Sequence, residues 1–266
     1  MIDILKKMVE NQKNGKSFVL ATVVEGAEKS PGRSGFKMIS YLDGTSEGTV
    51  GGGELEKLVL EKCSEIHRSK QNDFLSFNLT KSGIGMLCGG DVKVYCEYFS
   101  APRKVFAFGG GHLCQSLIPL LKSVGFYCVV IDNREEFASK NNLPKADEII
   151  FSNYVDFVEK MQLTSNDAIV IFTHGHLHDL EILDKICERN LVAKYVGMIG
   201  SKVKVPDTIK KIKQKKYGNN LVDSVNAPIG LNVAKTTTPE IAVAIIAEIL
   251  AKYNGVEKIE FMKDIK

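Results

Sequence analysis

The sequence lacks the features that mark a membrane, secreted or nucleic-acid-binding protein. Its longest apolar run, residues 241–251, is interrupted by Glu248 and is too short to cross a bilayer. The N-terminus lacks the charged and then apolar order of a signal peptide. A formal net charge of +3 on 266 residues gives no reason to expect nucleic acid or an anionic membrane as a partner. These absences predict a globular protein of the cytoplasm.

Cysteine is sparse, and no C-x-x-C pair occurs. The six cysteines are scattered along the chain at Cys63, Cys88, Cys96, Cys114, Cys128 and Cys187. In a reducing compartment, most of them are expected to be small buried hydrophobic side chains. The spacing therefore predicts no disulfide framework.

The first hundred residues have the pattern of an α+β domain. Hydrophobic spacing predicts helices over 2–14 and 54–69 and strands over 18–24, 35–42, 47–50, 73–80 and 91–99. Pro102 predicts a linker over residues 100–103, because proline disfavours both helix and strand pairing. The first domain is thus predicted over residues 1–100.

From residue 104 onward, predicted strands and helices alternate. The strands are predicted over 104–108, 127–131, 147–151, 167–172 and 194–199, and the helices over 112–124, 154–162, 177–190, 204–216 and 238–252. Such alternation predicts a parallel sheet with helices on both faces. The fold class is therefore α/β, with the α+β domain followed by a Rossmann-type, doubly wound domain over residues 104–266.

A glycine turn joins the first strand of the second domain to its first helix. Gly109, Gly110 and Gly111 precede His112, directly after an apolar strand. In the G-x-G-x-x-G pattern, such glycines permit a tight turn and let a pyrophosphate approach the amides of the helix N-terminus. The sequence therefore predicts that these four residues contact a nucleotide or a nucleotide-like phosphate.

An acidic residue ends the next predicted strand. Asp132 lies 21 residues beyond Gly111, where an acid typically binds the hydroxyl groups of a ribose. Arg134 could instead pair with Asp132 or with a phosphate. Cys114 occupies the third position of the glycine pattern, and its bulk favours the alternative, a Rossmann fold that binds no dinucleotide.

A histidine cluster follows a later strand. His174, His176 and His178 precede Asp179, at a strand end where α/β folds place their ligands. A loop that contacts a ligand, a metal site and an incidental polar loop are three open interpretations. The string resembles the T-H-x-H-x-D-H motif of metallo-β-lactamase-like hydrolases, but no histidine follows His178 to complete that set of ligands.

Two loops of the first domain carry further candidates. Gly51, Gly52 and Gly53 precede a predicted helix and form either an anion nest or a tightly packed turn. Lys37 ends a polar loop that begins at Ser30.

Two more candidates lie at loop positions elsewhere. Cys88 stands between a Gly/Ser-rich stretch and a glycine pair, so its thiol is either a soft-metal ligand or inert. Ser201 stands between a predicted strand and a helix, where it could touch a phosphate.

Together, and in order along nearly the whole chain, these segments resemble the XdhC/CoxI family of xanthine dehydrogenase accessory proteins. The matching strings of the first domain lie at 21–24, 30–31 with Gly35 and 37–38, 48–53 with Glu56, and 88–90. Those of the second domain lie at 108–112, 130–134, 173–174 with Asp179, 195–201, 227–231, and 239–243 with 247–249.

The resemblance implies an N-terminal XdhC/CoxI domain, a C-terminal Rossmann domain and a maturation chaperone rather than an enzyme with turnover. Its cargo would be molybdenum cofactor (molybdopterin), delivered in sulfurated form to a xanthine dehydrogenase-like molybdenum hydroxylase. A homodimer is expected, and a cysteine desulfurase is a further candidate partner. Carried over from the resemblance, the candidate cofactor contacts are Cys88, Lys37 and the 48–53 and 109–112 segments, and Cys88 and the two glycine loops are expected to face a common cleft. Asp132, Arg134, His174 and Ser201 complete the set of candidate contacts.

Two other functions stay open at this point. The glycine turn with Asp132 also fits an NAD(P)-dependent oxidoreductase, so NAD(P) or another nucleotide is the alternative ligand, although no Tyr-x-x-x-Lys pair stands nearby. The histidine cluster fits a metal-dependent hydrolase less well, because downstream ligands are missing. The chain departs from the family after Ser201, where Lys-Val-Lys replaces a frequent arginine pair and weakens a bidentate phosphate clamp.

Overall fold

A computed structural model of the chain describes residues 2–26, 32–79, 91–201, 204–215, 217, 221–234 and 236–264. The chain divides into two compact units, residues 1–102 and 103–266. Each unit is built on one five-stranded sheet. Within the described ranges, none of the helices has the length and apolar character needed to cross a membrane.

The first unit is an antiparallel sheet with a helix on each face. Its elements are α1 (Ile2–Lys13), β1 (Phe18–Gly26), β2 (Lys37–Ser40), β3 (Ser46–Gly48), α2 (Gly53–Ser69), β4 (Asp73–Asn78) and β5 (Asp91–Phe99). The strands lie in the order β3-β2-β1-β5-β4. Because successive side chains of a strand point to opposite faces, Val19 packs in the cluster with α2, whereas Phe18 and Leu20 pack in the cluster with α1.

The second unit is a parallel sheet with strand order β10-β9-β6-β7-β8. Its elements are β6 (Arg103–Phe108), α3 (His112–Ser123), β7 (Phe126–Asp132), β8 (Glu148–Phe151), α4 (Tyr154–Lys160), β9 (Ala168–Ile171), α5 (His176–Glu188), β10 (Tyr195–Met198), α6 (Lys204–Gln214) and α7 (Thr238–Tyr253). The predicted fold class, an α+β domain followed by a Rossmann-type domain, is confirmed.

Helices cover both faces of the parallel sheet. Val105 and Ala107 of β6 lie in the hydrophobic cluster formed with α3 and α7. Phe106 and Phe108 of the same strand lie in the cluster formed with α4, α5 and α6. The sheet is therefore doubly wound, with a core on each side.

Two details differ from or complete the sequence analysis. Strand β6 begins at Arg103, inside the predicted linker, because Arg103 pairs with Phe126 of β7 and its guanidinium lies over the rings of Phe126 and Tyr253. The five cysteines within the described ranges are buried thiols, as expected: Cys63, Cys96, Cys114, Cys128 and Cys187. Cys88 lies outside the described residues.

The turn between β6 and α3 requires glycine at two of its three positions. Gly109 has a φ of +115°, and a Cβ there would lie 2.6 Å from the carbonyl oxygen of Phe172. A Cβ on Gly110 would lie 2.7 Å from the carbonyl oxygen of Phe137. Gly111 differs, because its φ is −74° and a Cβ there would meet no atom of the described residues within 4 Å. The third glycine therefore leaves open space at the N-terminus of α3.

Gly109→Ala is expected to lower the free energy of unfolding by at least about 2 kcal/mol, because it combines a left-handed backbone with a steric clash. The matched variant Gly111→Ala is expected to change it by less than about 1 kcal/mol, since its backbone and its surroundings accept a methyl group. Urea unfolding of both variants measures the two values. Equal losses would contradict the different roles of the two glycines.

Candidate functional site

The candidate site lies at the carboxyl edge of the parallel sheet, where the connections diverge on the two sides of β6. The chain passes from β6 to β7 on one side, whereas β9 lies on the other. The backbone amide of Phe172, after β9, donates to the carbonyl of Phe108, at the end of β6, at 3.0 Å. Open α/β sheets bind ligands at such a switch point. The structure therefore brings the glycine turn and the loop that carries His174 to one edge.

Asp132 is buried at this edge, and groups of the protein occupy both of its carboxylate oxygens. Oδ1 accepts hydrogen bonds from the backbone amide and the Nε of Arg134, both at 2.9 Å. Oδ2 accepts from the amide of Gly110 at 2.6 Å and from Nη2 of Arg134 at 2.8 Å. Of the two roles predicted for Arg134, the structure has the pairing with Asp132.

The ion pair keeps Asp132 charged although it is fully buried. Burial alone would raise the pKa of this carboxyl, but the hydrogen bonds from Arg134 and Gly110 outweigh it and hold the pKa below its usual value. The Arg134 guanidinium in turn lies 3.7 Å from the centre of the Phe137 ring. The hydrogen bond from the Gly110 amide to Asp132 thus links the glycine turn to the end of β7.

Two buried polar atoms beside this ion pair have no hydrogen-bond partner among the described residues. They are Asn133 Oδ1 and the hydroxyl of Tyr154. Burial and the nearby charge of Asp132 raise the pKa of the Tyr154 hydroxyl. Since an unsatisfied buried polar atom costs about 1–3 kcal/mol, such atoms mark a place where a bound polar group would be favourable. Sequence reasoning did not single out either residue.

The three histidines point to different neighbours. The rings of His174 and His178 lie 5.0 Å apart, and His178 lies 5.6 Å from the Tyr154 ring. Nδ1 of His176 lies 3.8 Å from Oδ2 of Asp179. Over the described ranges, no group of three or more His, Cys, Asp or Glu side chains is arranged to hold a metal ion.

Asp179 is the second buried acid of this edge. Its Oδ1 accepts from the amide of Thr173 at 3.0 Å and from the Thr173 hydroxyl at 2.7 Å. Burial raises the pKa of Asp179 above its ordinary value, and the bonds from Thr173 only partly offset that effect. Asp179 lines a pocket of about 200 Å³ at the ends of α5, β10 and α6. Ser201 is exposed just beyond Gly200, which also lines this pocket.

His112 and Gly111 form the beginning of α3. His112 is exposed, and no side chain of the described residues caps the helix at Gly111. The N-terminus of a helix attracts anions through its dipole and its unpaired amides. This end of α3 therefore suits a phosphate.

In the first unit, the side chain of Glu56 accepts hydrogen bonds from the backbone amides of the glycine loop. Oε2 of Glu56 accepts from the Thr49 hydroxyl at 2.6 Å and from the amides of Val50 and Gly52 at 3.2 and 3.3 Å. The segment Gly51–Gly53 thus forms an anion nest that the chain fills itself. Lys37, on β2, donates to the hydroxyl of Thr22 at 3.1 Å.

Comparison with known proteins gives matches along most of the chain. The family model described as XdhC Rossmann domain matches residues 105–249, and the model of the XdhC and CoxI family matches residues 12–78. The first of these alone covers more than half of the chain.

Two curated relatives and one solved structure are similar to the chain. An uncharacterized protein, YqeB, of Escherichia coli (strain K12) is 23% identical over 96% of this chain and 47% of its own length. A protein of Bacillus subtilis (strain 168) described as a probable xanthine dehydrogenase subunit is 29% identical over 59% of this chain and 45% of its own. The chain thus spans about half the length of these relatives. A crystal structure described as a xanthine dehydrogenase from Bacillus halodurans has the same fold, with a TM-score of 0.52, 21% identity and 98% coverage of both chains.

Asp132→Ala is expected to lower the free energy of unfolding at pH 7 by about 3 kcal/mol, because it leaves a partly buried guanidinium and the Gly110 amide without their acceptor. The pKa of Asp132 is lower in the folded state, so its stabilisation is present above the unfolded value of 3.8 and is lost as pH falls through the folded value. The difference from wild type should therefore shrink below pH 3.8. Urea unfolding at several pH values measures this difference in stability, with the exposed substitution Glu135→Ala as the control. If Asp132→Ala is as stable as wild type at pH 7, the role of Asp132 is contradicted.

Proposed function

Because the chain belongs to the XdhC and CoxI family, we propose that it binds molybdenum cofactor and delivers it to a xanthine dehydrogenase-like molybdenum hydroxylase. The family matches fall in both units of the chain, and the Bacillus subtilis relative is described as a probable xanthine dehydrogenase subunit. The protein then acts as a maturation factor in the cytoplasm rather than as an enzyme that turns over a substrate. The observation that carries the proposal is the open N-terminus of α3 at the switch point of the sheet.

The cargo carries a phosphate group, and the N-terminus of α3 is a better binding site for it than the N-terminus of α2. The start of α3 has a glycine with free space above it and no capping side chain among the described residues. The start of α2 has a glycine nest as well, but Glu56 already occupies that nest. Seating a phosphate there would require the displacement of a carboxylate, whereas α3 requires none.

The surroundings of α3 also fit a polar, ring-containing cargo. Asn133 Oδ1 and the Tyr154 hydroxyl are buried without partners among the described residues, so a polar group of the ligand would satisfy them. The ring of His178 lies beside Tyr154 and that of His174 beside His178, so both add aromatic surface to this edge. The residues present therefore fit the cofactor at its phosphate and on one polar side.

The geometry of Asp132 argues against the alternative function of an NAD(P)-dependent oxidoreductase. A ribose needs a carboxylate with free lone pairs, and each oxygen of Asp132 already accepts two hydrogen bonds. A bound ribose would have to displace Arg134 and leave its guanidinium without a partner. We therefore propose Asp132 as a residue that shapes the turn rather than as a cofactor contact.

The metal end of the cofactor is proposed to meet Cys88. Metal contact requires a thiolate, and burial raises the pKa of Cys114 well above the usual value, that of Cys128 to about 12 and that of Cys187 to about 11. Cys63 and Cys96 are fully buried in the core of the first unit. Cys88, which Gly89 and Gly90 follow in the sequence, lies outside the described residues.

Delivery of the cargo requires contact with the client hydroxylase. A transient complex with that enzyme is therefore part of the proposal. A second copy of this chain and a cysteine desulfurase, which would supply the sulfur of the sulfurated cofactor, are further proposed partners on the family resemblance. Light scattering at micromolar concentration tests the homodimer, since a monomer mass would contradict it.

Gly111→Ala is expected to reduce the retention of molybdenum cofactor at least about 10-fold, because the added methyl group separates a phosphate from the first amides of α3. Protein loaded with the cofactor is passed through gel filtration and assayed for molybdenum and for pterin fluorescence. Activation of an apo molybdenum hydroxylase by the same fractions gives a second readout. Cys88→Ala should lose activation and the molybdenum signal more than the pterin signal.

The matched control is Gly175→Ala, because Gly175 is the N-cap of α5 and a Cβ there is in ordinary contact with His178 at 3.6 Å. It should retain the cofactor like wild type if the phosphate sits on α3. Loss of retention in Gly175→Ala with normal retention in Gly111→Ala would move the phosphate to α5. Wild-type protein that retains no cofactor would refute the proposed function.

A further inference from the structure

The pocket beside Asp179 is separate from the N-terminus of α3. Its apolar wall is formed by Met198 and Ile199 at the end of β10 and by Val205 of α6. Asp179 of α5 and Asp207 and Lys211 of α6 supply charged groups to the same pocket. His176 and Thr208 add further polar side chains to its lining. Its volume of about 200 Å³ is below the ~300–1,000 Å³ of pockets that hold drug-sized ligands, so it suits one small ring system rather than a whole nucleotide.

Asp179 lies in this pocket with only one of its two oxygens satisfied. Thr173 donates two hydrogen bonds to Oδ1 and so fixes the orientation of the carboxylate. Oδ2 lies 3.8 Å from Nδ1 of His176, which is too long for a hydrogen bond, and receives none from the residues that the structure describes. The residue is only 3% exposed. Because Asp179 is buried as a residue while Oδ2 has no donor among the described residues, a ligand in the pocket that donates N–H groups would stabilise this carboxylate.

The polar groups of the pocket form a pattern of acceptor and donor. Oδ2 of Asp179 can accept up to two hydrogen bonds, and the ammonium group of Lys211 can donate to a carbonyl oxygen. The 2-amino-4-oxopyrimidine edge presents the complementary series: an amino group, a ring N–H and a carbonyl. Its flat faces suit the apolar wall of Met198, Ile199 and Val205.

We propose that this pocket binds the 2-amino-4-oxopyrimidine edge that pterins and guanine share, with Asp179 as the acceptor for its N–H groups. The inference rests on the proposed function in one respect, since it assigns the pterin of the molybdenum cofactor to this pocket. The recognition of the edge itself depends only on Asp179 and its surroundings.

The position of the pocket agrees with a single ligand that also reaches α3. Strands β6 and β10 are separated by β9 alone, so their carboxyl ends lie roughly 10 Å apart at the usual spacing of strands. The phosphate seat follows β6, and the pocket follows β10. A fused pterin with a phosphorylated arm extends over a similar distance, so one cofactor can occupy both places.

The test compares ligands that differ in one group. Pterin and lumazine differ only at position 2, where pterin has an amino group and lumazine a carbonyl. Wild-type protein is expected to bind pterin about 10- to 100-fold more tightly than lumazine in a fluorescence titration, because lumazine turns an acceptor toward Asp179. Guanosine and inosine monophosphate, which differ by the same amino group, form the second arm in calorimetry.

Asp179→Asn is expected to abolish or invert the preference for pterin. The amide oxygen of the asparagine stays with the Thr173 donors, so its NH₂ group faces the pocket and favours the carbonyl of lumazine. Glu181→Gln, an exposed change on the same helix, is the control and should keep the wild-type preference. The comparison of ligands on wild-type protein stands even if Asp179→Asn unfolds.

The outcomes separate this inference from the proposed function. If wild type prefers pterin to lumazine and Asp179→Asn loses that preference, the proposed pterin site is supported, whether or not the protein retains the whole cofactor. Discrimination of guanosine monophosphate alone keeps the pocket but identifies its ligand as a guanine nucleotide and overturns the assignment to the pterin. Equal binding of both members of each pair by wild type overturns the inference, even where cofactor retention is intact.

Discussion

The hydrogen bonds that Asp132 accepts from Gly110 and Arg134 are the constraint on which the carboxyl edge of the second sheet depends. They join the end of β7 to the turn after β6, while the backbone of Phe172 closes in on Gly109 from the side of β9. Contacts from β7 and from the loop after β9 therefore constrain the turn on both sides. They define where α3 begins, and no side chain of the described residues caps it there.

In the first unit, Glu56 is the acceptor for the backbone N–H groups of a glycine turn. A glycine-rich turn before a helix presents backbone N–H groups that need an acceptor, and Glu56 reaches back to the amides of Val50 and Gly52 to provide it. Asp132 does this for Gly110 in the second unit. A glycine loop whose amides already have an acceptor within the chain offers less to an external anion. In this respect the start of α2, which Glu56 occupies, differs from the start of α3, where no side chain of the described residues caps Gly111.

Hydrophobic periodicity was sufficient to predict the α/β class and nearly every strand and helix, because burial on both faces of a parallel sheet leaves a strong pattern in the sequence. The position of Asp132 at a strand end was also predictable. The sequence could not show that groups of the protein fill the hydrogen-bonding positions of its carboxylate, because the spacing is compatible with either a ribose or Arg134 as the partner. The unpaired oxygens of Asn133 and Tyr154 were missed altogether, because only tertiary packing decides which polar atoms are buried.

The two buried acids of this edge differ in how completely the protein itself satisfies their carboxylates. Asp132 accepts four hydrogen bonds, and they hold its pKa below the usual value despite its burial. Asp179 accepts hydrogen bonds on one oxygen only, and burial raises its pKa. Burial raises the pKa of both residues, so the opposite directions come from the donors, above all from the charged guanidinium of Arg134 beside Asp132. A carboxylate whose donors are incomplete costs stability in the unliganded protein, and a ligand that completes them recovers that cost as binding free energy.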